Sequence, residues 1–234
     1  MLSLKKKSAV LAMGAAMTLA LAACGSSEEE VAAPPAAQPS KAAPAAKPSP
    51  AAAIQNLTGK QTAVTLDKGF LMGLTSLKVA PATVGGATLD ASTGKIAFPI
   101  TGGNVTYFKP DSGVTPFVQG LIMHNGSGLQ LTGANKKVVK LTDFVVDPAK
   151  SMLTGKVTVD DKVFAESAPL FFLDGSTVKP LAVNAAGGTA VLEGTTVSRT
   201  KTAADALNMV FETKALAEFF KVGIAEITLA LPKS

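Results

Sequence analysis

Alternation of apolar and polar residues, in short segments separated by Gly, Asn and Asp, is the feature that most constrains the fold of this chain. Over 152–159, Val157 and Val159 lie on one face, and Lys156 and Thr158 lie on the other. A period of two residues indicates a strand with one buried face. Because segments of this kind recur along much of the chain, the sequence predicts a mainly β fold.

The predicted strands fall within 54–234, a length that suits a single domain with a sizeable core. They are, in chain order, 96–100, 117–123, 128–132, 138–146, 152–159, 168–173, 189–197 and 223–231. The alternation slips near Asp143-Phe144, which predicts a bulge. Turns between strands are predicted at Asn125-Gly126, Asp160-Asp161 and Asp174-Gly175.

Two or three short helices are expected between the strands. Thr202 and Asp205 form a capping pair that predicts one helix, 214–220 has the apolar spacing of a second, and Asp67 is a candidate cap for a third. The whole predicts an antiparallel β-sandwich or a partly closed barrel with two or three short helices.

The first 23 residues have the layout of a secretory signal peptide. Three lysines at 5–7 precede an uncharged apolar run over 8–23, and Ala22 and Ala23 stand before Cys24. The run of 16 residues is shorter than the roughly 20 that a transmembrane helix needs. A signal peptide over 1–23 is therefore favoured over a membrane span.

Leu21-Ala22-Ala23-Cys24 resembles the lipobox of bacterial lipoproteins, in which the cysteine is acylated and becomes the mature N-terminus. The resemblance implies a lipid, palmitate included, on Cys24 and attachment to a membrane through that lipid. Gly25 and Ser26 lack the Asp that, by resemblance to enterobacterial lipoproteins, retains a protein at the inner membrane. An outer-membrane or cell-surface location is therefore expected.

Residues 24–53 are composed almost wholly of Ala, Pro, Ser, Glu, Lys and Gln. Such a composition has too little apolar surface to offset the entropy of ordering, so it predicts a disordered tether. The tether would hold the domain away from the membrane, within reach of envelope proteins or polymer.

Several function classes are disfavoured by what the chain lacks. Arg199 is the only arginine among 22 basic residues, and readers of nucleic acid depend on arginine for bidentate contacts. His124 is the only histidine, so a pair of histidines on one metal ion is excluded, and no nucleophile motif or phosphate-binding loop is present. We expect a non-enzymatic domain with no metal and no cofactor.

Two residues remain as ligand candidates. His124 is either a haem or metal ligand or simply a residue beside the predicted turn at Asn125-Gly126. Tyr107, the only tyrosine, is either a functional phenol or an aromatic residue of a half-buried strand. The apolar segment 168–173 is either a buried core strand or the wall of a ligand cavity.

The domain resembles a type found in secreted bacterial proteins of unknown function. The segments that carry the resemblance are 63–81, 96–103, 120–131, 139–147, 151–157, 168–174 and 205–213. Their order is also similar to that of the Htaa haem-binding domain, which places a histidine after a glycine in a comparable strand. That family has a tyrosine near the start of the domain, whereas the tyrosine of this chain is Tyr107.

These observations lead to one expectation and one alternative. The expectation is a lipid-anchored envelope protein whose β domain binds a partner or has a structural role. The alternative is a carrier of haem or of another small apolar ligand, held by Tyr107 and His124.

Overall fold

The computed structural model describes residues 47–232. Cys24, the predicted signal peptide and most of the predicted tether lie outside these residues. The strands are β1 Ala52–Ile54, β2 Lys60–Leu66, β3 Ala80–Gly85, β4 Thr88–Asp90, β5 Lys95–Pro99, β6 Gly102–Tyr107, β7 Val118–Thr132, β8 Val138–Asp147, β9 Met152–Val159, β10 Lys162–Asp174, β11 Ala182–Asn184, β12 Thr189–Arg199 and β13 Lys221–Ala230. The helices are α1 Lys68–Ser76 and α2 Lys201–Val210, with two 3₁₀ turns at Pro110–Ser112 and Pro148–Lys150.

The strands form a single antiparallel sheet that curls into a half-barrel. Its hydrogen-bonded path runs β1-β6-β7-β8-β9-β10-β12-β13-β2-β5-β4, with β11 added to β12 and β3 added to β7. This confirms the predicted mainly β, antiparallel fold with short helices. The first described strand, β1, begins at Ala52.

The curl brings distant parts of the path together. The connection from β5 to β6 lies against β7, where the Thr101 amide donates to the Met123 carbonyl at 2.9 Å. In return, the Asn125 amide donates to the Thr101 hydroxyl at 2.8 Å. We call this contact between the β5–β6 connection and β7 the seam. It brings the end of β5 to β7, and these two strands are seven places apart along the sheet path.

The predicted turn at Asn125-Gly126 is wrong, because these residues lie inside β7. The pairing of β7 with β8 breaks off at His124 and resumes at Gly128, so the extra residues form a bulge and the strand continues. The predicted bulge at Asp143-Phe144 in β8 is confirmed by a register shift there and by the positive φ of Asp143. The two bulges are joined, since the Gly126 amide donates to the Asp143 carboxylate at 2.8 Å.

The helix predictions have mixed outcomes. Asp67 caps α1, its carboxylate accepting from the Gly69 amide at 2.8 Å, as predicted. Helix α2 is present, but its cap is Thr200, whose hydroxyl accepts from the Ala203 amide at 3.1 Å. The predicted cap at Thr202 is therefore wrong by two residues.

The predicted helix over 214–220 is wrong: the chain between α2 and β13 is irregular. Glu212 and Phe219 both have positive φ, which no helix accommodates. The Asn208 side chain instead holds the segment, accepting from the Leu216 amide at 3.0 Å and donating to the Leu216 carbonyl at 2.9 Å.

The buried apolar side chains of the sheet and helices form one cluster on the inner face of the curl. Among residues 47–232, neither helix is long and apolar enough to cross a membrane. The cluster does not fill the space that the sheet encloses.

Candidate functional site

A cavity of about 620 Å³ lies inside the curled sheet. Its walls come from strands on both sides of the curl, including β2, β5, β7, β8, β12 and β13, and from both helices. The lining is mainly Leu, Val, Ile and Phe side chains. Small-molecule sites typically have volumes of about 300–1,000 Å³ and apolar walls with a few polar groups, and this cavity fits that description.

The cavity opens where its lining residues reach the surface. Leu89 on β4, Pro81 on β3 and Phe172 on β10 each line the cavity and are exposed to solvent. The segment 168–173 contributes Phe171 and Leu173 as well, so it is a wall of the cavity and also part of the packed interior. Both interpretations of this segment therefore hold.

His124 lies in the wall of this cavity, at the seam. Its Nδ1 is 2.9 Å from the Pro99 carbonyl and its Nε2 is 3.2 Å from the Thr62 hydroxyl. Because a carbonyl only accepts, Nδ1 carries the proton of the neutral ring and donates it to Pro99. Nε2 then accepts from Thr62. Both ring nitrogens are thus engaged within the protein.

Burial lowers the pKa of His124 below its usual value, although hydrogen bonds to backbone carbonyls oppose the shift. The ring, only 1% exposed, is therefore neutral at pH 7. It ties β7 to β5 and β2, which are not neighbours of β7 in the sheet. From the sequence, His124 is either a residue beside a turn or a ligand, whereas the structure places it where the half-barrel closes.

Tyr107 is buried at the end of β6 and does not itself line the cavity, although its packing partner Phe117 does. Its ring packs edge-to-face on Phe117, with 6.0 Å between centroids, and its hydroxyl accepts from the Leu181 amide at 3.4 Å. Tyr107 is paired with Val118, six residues before His124 on β7. At roughly 3.3 Å per residue this separates them by about 20 Å. The structure does not bring Tyr107 and His124 together in one site.

Arg199, at the end of β12, also lines the cavity and is only 4% exposed. Its Nε and Nη2 both donate to the Ala217 carbonyl, at 3.2 and 2.7 Å. The guanidinium lies over the Phe220 ring, 5.7 Å from its centroid. These contacts fix the side chain against the irregular segment that follows α2.

The charge of Arg199 has no carboxylate partner among residues 47–232. Each of the salt bridges in this part of the chain involves a lysine. Burial lowers the pKa of Arg199 but leaves an arginine protonated at neutral pH. The cavity therefore contains a buried positive charge that no carboxylate among residues 47–232 neutralises.

In the sequence, Arg199 counts only against nucleic-acid binding, but one pattern there indicates its position. Thr195, Val197 and Arg199 are spaced two residues apart at the end of a strand, so they share the face that lines the cavity. Arginine side chains are rarely fully buried, so an arginine on the buried face of a strand indicates a specific role.

Among residues 47–232, no three His, Cys, Asp or Glu side chains are grouped so that they could hold a metal ion. The only carboxylate in the cavity lining is that of Asp174. It accepts from the Ser176 amide at 2.9 Å, and this hydrogen bond lowers its pKa. Asp174 is therefore a charged turn residue near the surface.

The chain matches no protein-family model and none of the curated proteins. Among solved structures it is similar to the C-terminal domain of HtaA from Corynebacterium glutamicum, at 12% identity and a TM-score of 0.53. The alignment covers 76% of this chain and 99% of that domain. The N-terminal domain of HtaA, from the same organism, aligns at 14% identity and a TM-score of 0.48, over 76% of this chain and 99% of that domain. At these identities the likeness concerns the fold alone.

Proposed function

We propose that the β domain is a non-enzymatic carrier that holds a small apolar molecule in its central cavity. The observation that carries the proposal is the cavity itself, about 620 Å³ of mainly apolar space inside the curled sheet. Interiors of domains without a ligand are packed with few voids larger than a water molecule. A domain with only a structural or partner-binding role would not need an internal space of this size.

The chemistry of the walls supports binding without reaction. Ser and Thr hydroxyls, His124, Asp174 and Arg199 are the polar side chains of the lining, and His124 has no free ring nitrogen to act as a base. The Thr62 hydroxyl contacts the His124 Nε2 at 3.2 Å, but the other ring nitrogen donates to the Pro99 carbonyl and not to a carboxylate, which a catalytic triad would require. A ligand in this cavity is held by burial of its apolar surface, worth about 25 cal/mol per Å² removed from water.

The proposal is tested by filling the cavity. Ala225 on β13 lines it and is buried, so a phenylalanine there would occupy ligand space. The neutral apolar dye N-phenyl-1-naphthylamine should bind the wild-type chain and fluoresce. Ala225→Phe should weaken that binding at least about tenfold and leave the free energy of unfolding unchanged or raised, since the ring enters a void.

Ala190 on β12 supplies the matched control. It is equally buried but does not line the cavity, so Ala190→Phe should overpack the core and cost about 1–3 kcal/mol. It should retain dye binding in the fraction that folds. Equal destabilisation by the two substitutions, with no dye binding by the wild type, would show that the interior is solid and would refute the proposal.

Haem is one apolar molecule to consider, given the resemblance of the chain to the Htaa haem-binding domain. The donors do not fit iron ligation by Tyr107 and His124, because the two lie about 20 Å apart at 3.3 Å per residue. Each is also hydrogen-bonded within the protein, Tyr107 to Leu181 and His124 to Pro99 and Thr62. We therefore expect haemin to give no Soret band of a histidine-ligated iron. A band that disappears in His124→Gln would contradict this.

We also propose that Cys24 is lipidated and anchors the domain to the outer membrane or cell surface through the tether. The support is the lipobox resemblance of Leu21-Ala22-Ala23-Cys24 behind a basic start and an apolar run. Mass spectrometry of the mature N-terminus tests it. A peptide that begins at acylated Cys24 is expected, and any other N-terminus would refute the anchor.

A further inference from the structure

Within the part of the chain that the structure describes, Arg199 is the only cationic side chain in the lining of the cavity, which includes no lysine there. With 4% of its surface exposed, its charge is largely removed from water, and no carboxylate of residues 47–232 pairs with it. A buried charge that is not paired costs several kcal/mol, and proteins normally avoid the arrangement. The apolar space beside Arg199 is the place where a compensating negative charge can be supplied from outside the chain.

The hydrogen bonds of Arg199 leave donors for such a charge. A guanidinium has five N–H groups, and only one from Nε and one from Nη2 are directed to Ala217. Both go to the same carbonyl oxygen. The fork that remains is the geometry that binds the two oxygens of a carboxylate.

The surroundings of Arg199 are apolar, which strengthens any interaction with an anion. Leu207, Phe211 and Leu216 are among the lining residues of the same cavity, and the Phe220 ring covers the guanidinium. In a medium of low dielectric, a charge-assisted hydrogen bond is stronger than at a solvated surface. The Ala217 carbonyl and the Phe220 ring also hold the guanidinium in one position, so it is pre-organised.

The geometry points to an apolar carboxylic acid as the ligand: its hydrocarbon body fills the cavity and its carboxylate pairs with Arg199. This inference rests on the proposed carrier function and specifies the chemistry of the ligand. A fatty acid and a porphyrin with acidic side chains share this chemistry, an apolar body with a carboxylate.

Pairs of an acid and its neutral counterpart separate the inference from the general proposal. The full chain is titrated with oleic acid and with oleyl alcohol, and separately with haemin and with haemin dimethyl ester, by displacement of N-phenyl-1-naphthylamine. We expect at least one acid to bind roughly 10- to 100-fold more tightly than its neutral counterpart, the range of a hydrogen bond to a charged group. The pair that shows the preference identifies which kind of body fits the cavity.

Two variants assign the preference to Arg199. Arg199→Gln should reduce the affinity for the acid to that of the neutral counterpart, and Arg199→Lys should retain part of the preference. Lys221→Gln is the matched control. Lys221 pairs with Ser198, next to Arg199, but its side chain is half-exposed and lies 3.6 Å from the Asp67 carboxylate, so removing it should change neither affinity.

The outcomes are distinct. Equal binding of acid and neutral counterpart in both pairs would overturn the inference and leave the apolar carrier standing. Equal loss of both affinities in Arg199→Gln would also overturn it, because Arg199 would then only support the segment after α2. If neither molecule of either pair displaces the dye and the dye itself does not bind, the carrier function fails and this inference fails with it. Should Arg199→Gln not fold, the comparison of acid and alcohol on the wild type decides alone.

Discussion

Two parts of the cavity wall each contain a buried nitrogen-containing side chain, but the two side chains differ in charge and in hydrogen bonding. At the seam, His124 is neutral, and each of its ring nitrogens has a partner in the protein. In the other part, Arg199 carries a full charge. Its guanidinium donates to the Ala217 carbonyl and lies over the Phe220 ring. The hydrogen bonds of His124 are all made within the folded protein. The charge of Arg199, in contrast, is neutralised only when an anion binds.

This difference in hydrogen bonding and charge distinguishes a residue that stabilises the fold from a residue that is positioned to bind a ligand. A polar group whose hydrogen bonds are all made inside the protein stabilises the structure when it is intact and costs free energy when it is removed. A charge that has no partner does the reverse, since its removal relieves a desolvation cost. Substitutions in the two parts should therefore differ in the size of their effect on the free energy of unfolding.

Removal of the His124 ring should have the largest effect. His124→Leu leaves the Pro99 carbonyl and the Thr62 hydroxyl without a partner at the seam, so we expect the free energy of unfolding to fall by about 2–4 kcal/mol. Thr62→Val, which removes only the Nε2 partner, should cost about 1 kcal/mol. Urea unfolding measures both. A loss below about 0.5 kcal/mol for His124→Leu would show that the seam does not hold the half-barrel closed.

The titration of His124 should make the stability depend on pH. Burial puts the pKa of His124 in the native state below the unfolded value near 6.5. As the pH drops through 6.5, the unfolded chain therefore binds a proton that the native state does not bind, and the free energy of unfolding falls. The slope can reach about 1.4 kcal/mol per pH unit. The pKa values of three carboxyl groups are also lowered, but their protonation affects the stability only at lower pH. These are Asp90, Asp160 and Asp174.

His124→Gln is the control for this pH effect. His124 is the only histidine, so urea unfolding of the variant between pH 7.5 and 5.5 should show almost no dependence on pH. A variant with the same slope as the wild type would assign the effect to another group.

Thr200, the residue after Arg199, should show an intermediate effect. Its hydroxyl accepts from the Ala203 amide as the cap of α2 and donates to the Pro169 carbonyl at 2.7 Å. Thr200→Ala should lower the free energy of unfolding by about 1–2 kcal/mol, because both bonds are lost. Thr200→Ser keeps the hydroxyl and serves as the matched control, with a loss of less than half that size expected by the same measurement.

Arg199 itself should show the smallest effect on the ligand-free protein. Arg199→Met keeps an unbranched apolar side chain and removes the unpaired charge, so the free energy of unfolding should change by less than about 1 kcal/mol in either direction. Urea unfolding of the chain stripped of ligand by organic extraction measures it. A loss above about 3 kcal/mol would mean that Arg199 has a purely structural role like that of His124.

The strand pattern and the bulge at Asp143 follow from local sequence, because period-two alternation is a local property. The error at Asn125-Gly126 has a physical cause. The dipeptide is typical of a tight turn, yet here the Gly126 amide reaches the Asp143 carboxylate of the next strand, and the strand continues. The helix expected over 214–220 failed because Asn208, six residues earlier, binds its backbone instead.

The cavity and its charge were harder to predict. Whether segment 168–173 packs solidly or lines a space depends on how far the sheet curls, and the seam that sets the curl joins Thr62, Pro99 and His124 across the sequence. No local pattern contains that contact. The apolar face ending in Arg199 was present in the sequence, but it is informative only once the strand is known to face a cavity.

Native mass spectrometry of the full chain with equimolar oleic acid and oleyl alcohol tests the central claim most directly, because it reports stoichiometry and selectivity in one spectrum. One cavity with one buried cation predicts a single adduct per chain, containing the acid in preference to the alcohol, and lost in Arg199→Gln. Free protein alone would contradict the account, as would a ladder of adducts that includes acid and alcohol alike.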